Sequence, residues 1–381
     1  MCYQSKNIYN YANYLIRQKF IESGEIIKRY DMQVIMKDVD CYRALGSNTG
    51  QVTIQMLDRN WKSFFKAIKD WGNHPEKYFA MPQIPKYLKK NGRYVVGITN
   101  NKFSIVDGYI RFGWKKLYCM NRTFKTRIPS HAKLMQIRFV PRGCDYVMEV
   151  VYQIDVPECN EQSERVAAID IGVDNFITMV NNIGEQPIVV KGGIIKSINQ
   201  YYNKQNAKIR SELKTINGQN WSRRLQRLSD KRFKKIKYQM HCISKYIVDW
   251  CVLYNIDTVI VGHNDDWKQK NKGMQNFTYI PYDLFIQILA YKCENNGIKF
   301  VITEEAYTSG TSFVDGEDPV KENYNKSRRV HRGLFIGNNG VQINADVNGA
   351  YQILKKVIPN AFSDGIEGVY LHPMTIKKLV A

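Results

Sequence analysis

The sequence predicts a multidomain α+β protein in which a helical segment, a β-rich segment and an α/β segment follow one another. Three observations predict this class. Apolar residues up to about residue 71 recur at helical spacing, short β runs separated by turn residues follow from residue 94, and buried strands alternate with helices after residue 165. The length of 381 residues accommodates two or three such domains.

The first segment, residues 1–85, has the pattern of amphipathic helices. Its apolar stripe contains Trp61 and Phe64, which we expect in the core, while Lys62 and Lys66 fall on other faces. The two lysines are therefore the candidates for contact with nucleic acid.

The second segment, residues 86–160, begins after a proline-rich stretch and predicts a small antiparallel sheet or barrel-like domain. Between Gly108 and Cys144 it has nine basic residues and no acidic one. Because a solvated sheet normally mixes signs, we interpret this face as contacting phosphates. The candidates are Arg111, Lys115, Lys116, Arg122 and Arg138.

The third segment, residues 161–381, predicts an α/β domain that contains a basic helical hairpin and an insertion. The hairpin spans 191–250 and turns at Gly218, with fourteen basic residues against two acidic ones between positions 191 and 240. The insertion, residues 309–340, is polar and rich in glycine, as expected of a nucleic-acid-binding subdomain or a lid. We predict nucleic-acid contacts for Arg223, Arg224, Arg227, Lys231, Arg232, Lys234, Lys235, Arg328, Arg329 and Arg332.

Composition narrows the class of function further. A formal net charge of +21 predicts a polyanionic partner, and nucleic acid is the leading candidate. The sequence has no apolar run long enough for a membrane span and no secretory signal pattern, so we expect an intracellular protein without membrane partners. Eight scattered cysteines without a C-x-x-C pair predict reduced thiols and no zinc site.

Two aspartates stand where a nuclease site would place them. Asp170 ends the apolar strand AAIDIG, and Asp346 begins the helix of INADVNGAYQIL. Each alone could be a structural or helix-capping residue. Together with the order of strands and helices they predict a ribonuclease-H-like sheet, whose carboxylates hold two divalent ions about 4 Å apart. Magnesium suits oxygen ligands, with manganese as a substitute. A third acid is offered by Glu304, Glu305, Asp265 or Asp266.

The motifs AAIDIGVDNF, TVIVGHNDDWKQ, VITEEAYTSGTSF, RRVHRGLF and INADVNGAYQIL, in this order, resemble the TnpB family. These are RNA-guided nucleases of insertion-sequence transposons, related to type V CRISPR effectors. The resemblance implies a helical recognition lobe, a wedge domain and a RuvC-like nuclease domain for the three segments. It also implies a guide RNA from the transposon end, cleavage of double-stranded DNA beside a short flanking motif, and a prokaryotic, cytoplasmic, nucleoid-associated protein.

The sequence departs from the family pattern at three places. Gly262 stands where most members have their second catalytic acid, and the insertion lacks the four cysteines of a zinc finger. The family also usually opens with a basic strand, whereas this sequence opens within the first helix. A rearranged branch has a glutamate two residues before Tyr-Thr-Ser, which Glu305 matches. The resemblance therefore implies Asp170, Glu305 and Asp346 as catalytic, metal-binding acids, with Glu304 in reserve.

Two other functions fit the same sequence. The missing acid at Gly262 keeps open a nuclease-inactive, RNA-guided protein that represses by occupying its DNA site. A transposase that joins DNA ends would share the fold and the metal ions. Retention of three acids that are costly to bury favours the nuclease over the repressor.

Overall fold

A computed structural model describes residues 1–159, 165–264, 280–331, 333–363, 365 and 370–379 of the chain. Contacts divide the chain into two compact units, Met1–Asp155 and Val156–Ala381. Within the described residues, every helix is too short or too polar to cross a lipid bilayer.

The first unit opens with four helices that enclose an aromatic core. They are α1 (Cys2–Ser23), α2 (Arg29–Met36), α3 (Asp40–Leu45) and α4 (Ser47–Asn73). Trp61 of α4 is fully buried in this core, and its indole N–H donates to Asn13 Oδ1 at 3.0 Å, so the only polar group of the ring is satisfied. The predicted helical segment and the burial of Trp61 are confirmed, whereas Phe64 packs against this core and is only half-buried.

Five antiparallel strands follow: β1 (Val96–Thr99), β2 (Phe103–Val106), β3 (Tyr109–Phe112), β4 (Lys133–Arg142) and β5 (Asp145–Gln153). They form a three-stranded sheet in the order β1-β4-β5 and a separate hairpin, β2-β3. Both sheets contribute to one core, in which Ile98, Ile110, Phe112 and Ile137 are buried. The strands therefore form two small antiparallel sheets that share one hydrophobic core.

The helices and strands of this unit also pack against each other. Trp114, which follows β3, lies against the helical core and against the strand core. The expected division into 1–85 and 86–160 stays a prediction, since residues 1–155 form one compact unit and residues from Val156 onward belong to the other.

The second unit is built on a six-stranded sheet of β6 (Val166–Ile171), β7 (Asn175–Asn181), β8 (Ile188–Lys191), β9 (Thr258–Gly262), β10 (Lys299–Thr303) and β13 (Met374–Ile376). The strand order is β10-β9-β6-β7-β8-β13. β7 is antiparallel to β6 and β8, whereas β9 and β10 run parallel to β6. This topology confirms the ribonuclease-H-like sheet; the edge strand β13 was not predicted.

Helices cover both faces of this sheet. The predicted hairpin is present as α5 (Gly193–Asn217) and α6 (Arg223–Leu253), with the intervening Gly218 in the left-handed conformation that favours glycine. α6 packs with α7 (Tyr282–Glu294) over one face, and α8 (Ala345–Val357) packs on the other face against β6 and β7. These layers fix the two elements that carry Asp170 and Asp346.

The insertion at 309–340 is anchored to α8. Near its end it contains β11 (Leu334–Ile336), which pairs with β12 (Gln342–Asn344). Asn348 of α8 is fully buried, accepts a hydrogen bond from the Phe313 amide at 2.9 Å and donates to the Thr311 carbonyl at 2.8 Å. This part of the insertion is therefore held to the core of the second unit.

Candidate active site

A cleft of about 660 Å³ opens at the ends of the central strands of the second unit. Asp170, Glu305 and Asp346 line it together, so the structure brings the three predicted acids to one place although they are distant in sequence. Lys191 and Arg329 supply positive charge to the same cleft.

Asp170 is held at the end of β6, the strand between β7 and β9. Its neighbours in the strand, Ile169 and Ile171, are buried in the core under α6 and α7. The carboxyl lies close to α8, because a Cβ added to Gly349 would be 3.3 Å from Asp170 Oδ2. Desolvation first, and then the charges of Glu305 and Asp346, raises the pKa of Asp170 to about 8.

Glu305 follows β10 by two residues and reaches the cleft beside β9. Thr303 is paired with Gly262, so the side chain of Glu305 lies next to the end of β9. A Cβ built on Gly262 would be 2.8 Å from Glu305 Cγ and 2.5 Å from Ile353 Cδ1. The glutamate therefore occupies the space that a side chain at position 262 would need. Burial raises the pKa of Glu305 to about 7.

Glu304 is placed differently. It does not line the cleft; its side chain is 66% exposed, and it lies 4.0 Å from the ammonium of Lys356. The alternation expected at the end of a strand thus separates the two adjacent glutamates. This placement favours Glu305 over Glu304 as the third acid of the cleft, while a catalytic role for Glu305 stays a prediction. Asp265 and Asp266 lie outside the described residues.

Asp346 stands in the first turn of α8, whose N-cap is Asn344. The Asn344 side chain accepts from the amides of Asp346 and Val347, which fixes the start of the helix. One carboxylate oxygen of Asp346 accepts from Asn175 Nδ2 at 2.6 Å, and the other accepts from Arg329 Nη2 at 3.0 Å. Both oxygens therefore have a donor.

A second layer of contacts orients Asn175. Its side-chain oxygen accepts from Lys191 Nζ at 2.7 Å, so the amide N–H groups are left to face Asp346. Asn175 and Lys191 begin β7 and end β8. Neither was a sequence candidate for the site, because an asparagine and a lysine at strand ends have no distinguishing pattern of their own.

The donor set of the cleft fits a hard divalent cation. Its acids offer only oxygen ligands, and burial of Asp170, followed by the charges of Glu305 and Asp346, makes the ionised form of Asp170 costly without a cation. Across the described ranges, however, no group of three His, Cys, Asp or Glu side chains converges closely enough to hold an ion unaided. Magnesium commonly uses one or two carboxylates and completes its shell with water and substrate phosphate, so this looser arrangement is compatible with it.

The predicted nucleic-acid contacts of the first unit are of two kinds. Lys66, Lys115 and Arg122 are exposed. The others already have protein partners in the structure: Lys62 pairs with Asp58 at 2.8 Å, Lys116 donates to the Ala44 carbonyl, and Arg111 and Arg138 pair with Asp107 and Glu149. Since exposed ion pairs are weak, these partners are compatible with phosphate binding.

The candidates of the second unit concentrate on α6. Arg223, Arg227, Lys231, Lys234 and Lys235 are exposed, Arg224 pairs with Glu212 at 3.0 Å, and Arg232 lies over the ring of Tyr202. In the insertion, Arg329 reaches the cleft, whereas Arg332 lies outside the described residues.

Arg328 has a different environment from its neighbour. Its guanidinium makes two 2.7 Å hydrogen bonds to Glu317, and both side chains are only 16% exposed. Glu317 also accepts from the Ser312 amide at 2.8 Å. Because breaking a shielded pair of this kind leaves an uncompensated charge, the contact favours a structural role for Arg328 within the insertion.

Comparison with known proteins agrees with the topology. A family model described as a probable transposase matches residues 149–268, and one described as the Cas12f1-like TNB domain matches residues 282–353. The TnpB-like protein ORF457 of Acidianus two-tailed virus is 22% identical over 93% of this chain and 82% of its own length.

Two solved structures are similar in fold. The structure of a Cas12f1-sgRNA-target DNA complex matches 92% of this chain and 80% of its own, with a TM-score of 0.56 and 14% identity. The structure of the mini-RNA-guided endonuclease CRISPR-Cas_phi3 matches 97% and 90%, with a TM-score of 0.50 and 11% identity.

Proposed function

The chain is a TnpB-family protein related to type V effectors, and from this premise we propose that it is an RNA-guided, metal-dependent DNA endonuclease. It cleaves double-stranded DNA next to a short flanking motif by hydrolysis of phosphodiester bonds. The observation that carries the proposal is the meeting of Asp170, Glu305 and Asp346 in one cleft on a ribonuclease-H-like sheet.

The partners follow from the same premise. The similar Cas12f1 structure is a complex with sgRNA and target DNA, and we propose a corresponding guide RNA and target DNA for this chain. Base pairing with the guide selects the sequence, and the basic residues hold the backbone. Residues 1–85 then serve as the recognition lobe, 86–160 as the wedge and 161–381 as the nuclease domain of a protein that acts in the prokaryotic cytoplasm on nucleoid DNA.

Asp170, Glu305 and Asp346 would hold two magnesium ions, which when bound activate water and neutralise the departing oxygen. The chain's own groups prepare the cleft for this. Asn175, oriented by Lys191, fixes the direction of the Asp346 carboxylate. Arg329 brings a permanent cation to the place where a phosphate strand would enter.

Asp170 and Glu305 contribute through their protonation. With pKa values of about 8 and about 7, both hold protons for part of the time near neutral pH in the absence of a cation. Asp170 and Glu305 would release these protons on holding a divalent cation, because the cation would favour the ionised carboxylates. The cleft is thus suited to exchange protons for a metal ion upon loading.

The test is cleavage by the purified chain with RNA from the transposon end. A plasmid library with a randomised flank is incubated with and without magnesium, and cut products are sequenced. We expect magnesium-dependent cutting that Asp170→Asn abolishes while binding to RNA persists. Glu305→Gln and Glu304→Gln form a matched pair: the first should abolish cutting and the second should leave it within a few fold. Undiminished cutting by Asp170→Asn would remove the proposal.

The alternative is the nuclease-inactive, RNA-guided repressor, which the glycine at position 262 favours. Tight, guide-dependent DNA binding without magnesium-dependent cutting in the same assay would support it. The presence of Glu305 beside Gly262 argues for the nuclease, because the glutamate brings a carboxyl group to that end of β9.

A further inference from the structure

The α5–α6 hairpin has a small cavity of its own, which we name the hairpin pocket. Its volume is about 190 Å³, and the residues that matter for its chemistry are Tyr201, Tyr202, Leu228, Lys231, Arg232 and Lys235. Three of these are cationic, and none of the described residues that line the pocket is acidic. The pocket therefore combines an apolar surface with a concentrated positive charge.

Aromatic and cationic groups are already stacked in this pocket. The guanidinium of Arg232 lies 3.7 Å from the centroid of the Tyr202 ring, so it is held over the ring face. The adjacent Tyr201 is 57% exposed, although its ring is large and apolar. Lys231 and Lys235 are one helical turn apart and exposed on the same side of α6.

The size of the pocket limits what it can hold. Sites for whole cofactors or drug-sized ligands occupy about 300–1,000 Å³. A volume of 190 Å³ instead admits a group the size of one base. Bases stack on tyrosine rings and on arginine guanidinium planes, and their flanking phosphates pair with lysines.

We propose that the hairpin pocket binds one unpaired base of a single-stranded nucleic acid, with Tyr201 and Arg232 as the stacking groups and Lys231 and Lys235 on the flanking phosphates. The inference rests on the proposed function, which supplies two single strands, guide RNA and displaced DNA. Both strands offer the pocket the same groups, an unpaired base and its flanking phosphates. A base inside a duplex is already stacked on its neighbours, so the pocket discriminates against duplexes.

The experiment measures binding of the full chain, in EDTA, to short single-stranded RNA and DNA of the same sequence and to the corresponding duplex. Each strand carries one 2-aminopurine, whose fluorescence is quenched when it stacks. For Tyr201→Ala we expect single-strand affinity to fall about 5-fold or more, with loss of quenching and an unchanged salt dependence. For Lys231→Gln we expect the slope of log affinity against log salt to decrease by about one.

Tyr238→Ala is the matched control, since Tyr238 lies on α6, is 47% exposed and does not line the pocket. Circular dichroism of every variant tests that the hairpin remains folded. If Tyr201→Ala loses affinity for the RNA strand, for the DNA strand or for both, the proposal is supported. The strand whose affinity falls then identifies the nucleic acid that the hairpin pocket binds.

Two results would overturn the inference. The first is that Tyr201→Ala and Tyr238→Ala bind single strands with equal affinity. The second is that Tyr201→Ala loses as much affinity for the duplex as for the single strands. Because the assay contains no divalent metal and measures no cleavage, its failure is separate from failure of the proposed nuclease.

Discussion

Replacement of Gly262 by alanine tests how the acids are arranged at the end of β9. Gly262 is buried and does not have the positive φ that favours glycine. At such a position, glycine to alanine usually stabilises a protein by about 0.4–1 kcal/mol, because the unfolded chain loses freedom. The geometry predicts the opposite sign here.

The added Cβ would lie 2.8 Å from Glu305 Cγ and 2.5 Å from Ile353 Cδ1. Since carbon atoms pack at about 3.5–4.0 Å, the neighbours must move by roughly 1 Å. Overpacking of this kind costs about 1–3 kcal/mol. A displacement of roughly 1 Å at a reacting group can also lower the rate by about a hundredfold. We therefore expect Gly262→Ala to lose both stability and cleavage.

The assays are urea unfolding of the metal-free chain and guide-dependent plasmid cleavage. Gly193→Ala is the matched control, because nothing lies within 4 Å of a Cβ at that position and its φ is not positive. Glu305→Ala removes the Cγ that the new methyl group meets, so the double variant should recover part of the lost stability. If Gly262→Ala is as stable and as active as Gly193→Ala, the reasoning about shared space is wrong.

Three further outcomes are expected. In the metal-free chain, Asp170→Asn should raise the free energy of unfolding, because the pKa of Asp170 is about 8 in the folded chain and near 3.8 in the unfolded chain. The wild-type protein therefore loses stability as pH rises from about 3.8 to about 8. Urea unfolding at pH 5 and pH 8 should show that the variant exceeds the wild type in stability by more at pH 8 than at pH 5. Cleavage should fall as pH drops below about 8, where first Asp170 and then Glu305 retain protons, and added magnesium should shift this profile to lower pH. A pH profile that does not change with magnesium concentration would contradict competition between protons and the metal ion. Arg329→Gln should bind manganese more tightly by calorimetry, since a competitor for Asp346 is removed, yet cleave more slowly; equal manganese affinity in wild type and variant would show that the Arg329–Asp346 contact does not compete with the ion.

The sequence was sufficient for the main elements of the second unit. AAIDIG is apolar on both faces, as a central strand must be, and this pattern located β6 and Asp170. Asp346 was located by its place at the start of an amphipathic helix. Conversely, β13 has only three residues and pairs with a strand far away in the sequence, so no local periodicity marks it.

Contacts between polar side chains were harder to predict from the sequence than helices and strands. Asn175 contacts Asp346 across 171 positions, and Arg328 meets Glu317 through a turn whose path depends on tertiary packing. Sequence periodicity reports which face of an element is apolar, but it does not report which polar groups meet. Charge density alone could not separate Arg328, which is shielded, from Arg329, which lines the cleft.

The pairing of Thr303 with Gly262 has a consequence for how such proteins are compared. A column-by-column alignment would score this chain as having lost an acid, although a carboxyl group arrives at the same corner from the adjacent strand. Only one of the two positions can carry a bulky group at a time. A survey that reads a single column would therefore count such a chain as lacking the acid, whereas a criterion based on the occupied volume would register the carboxyl group of Glu305.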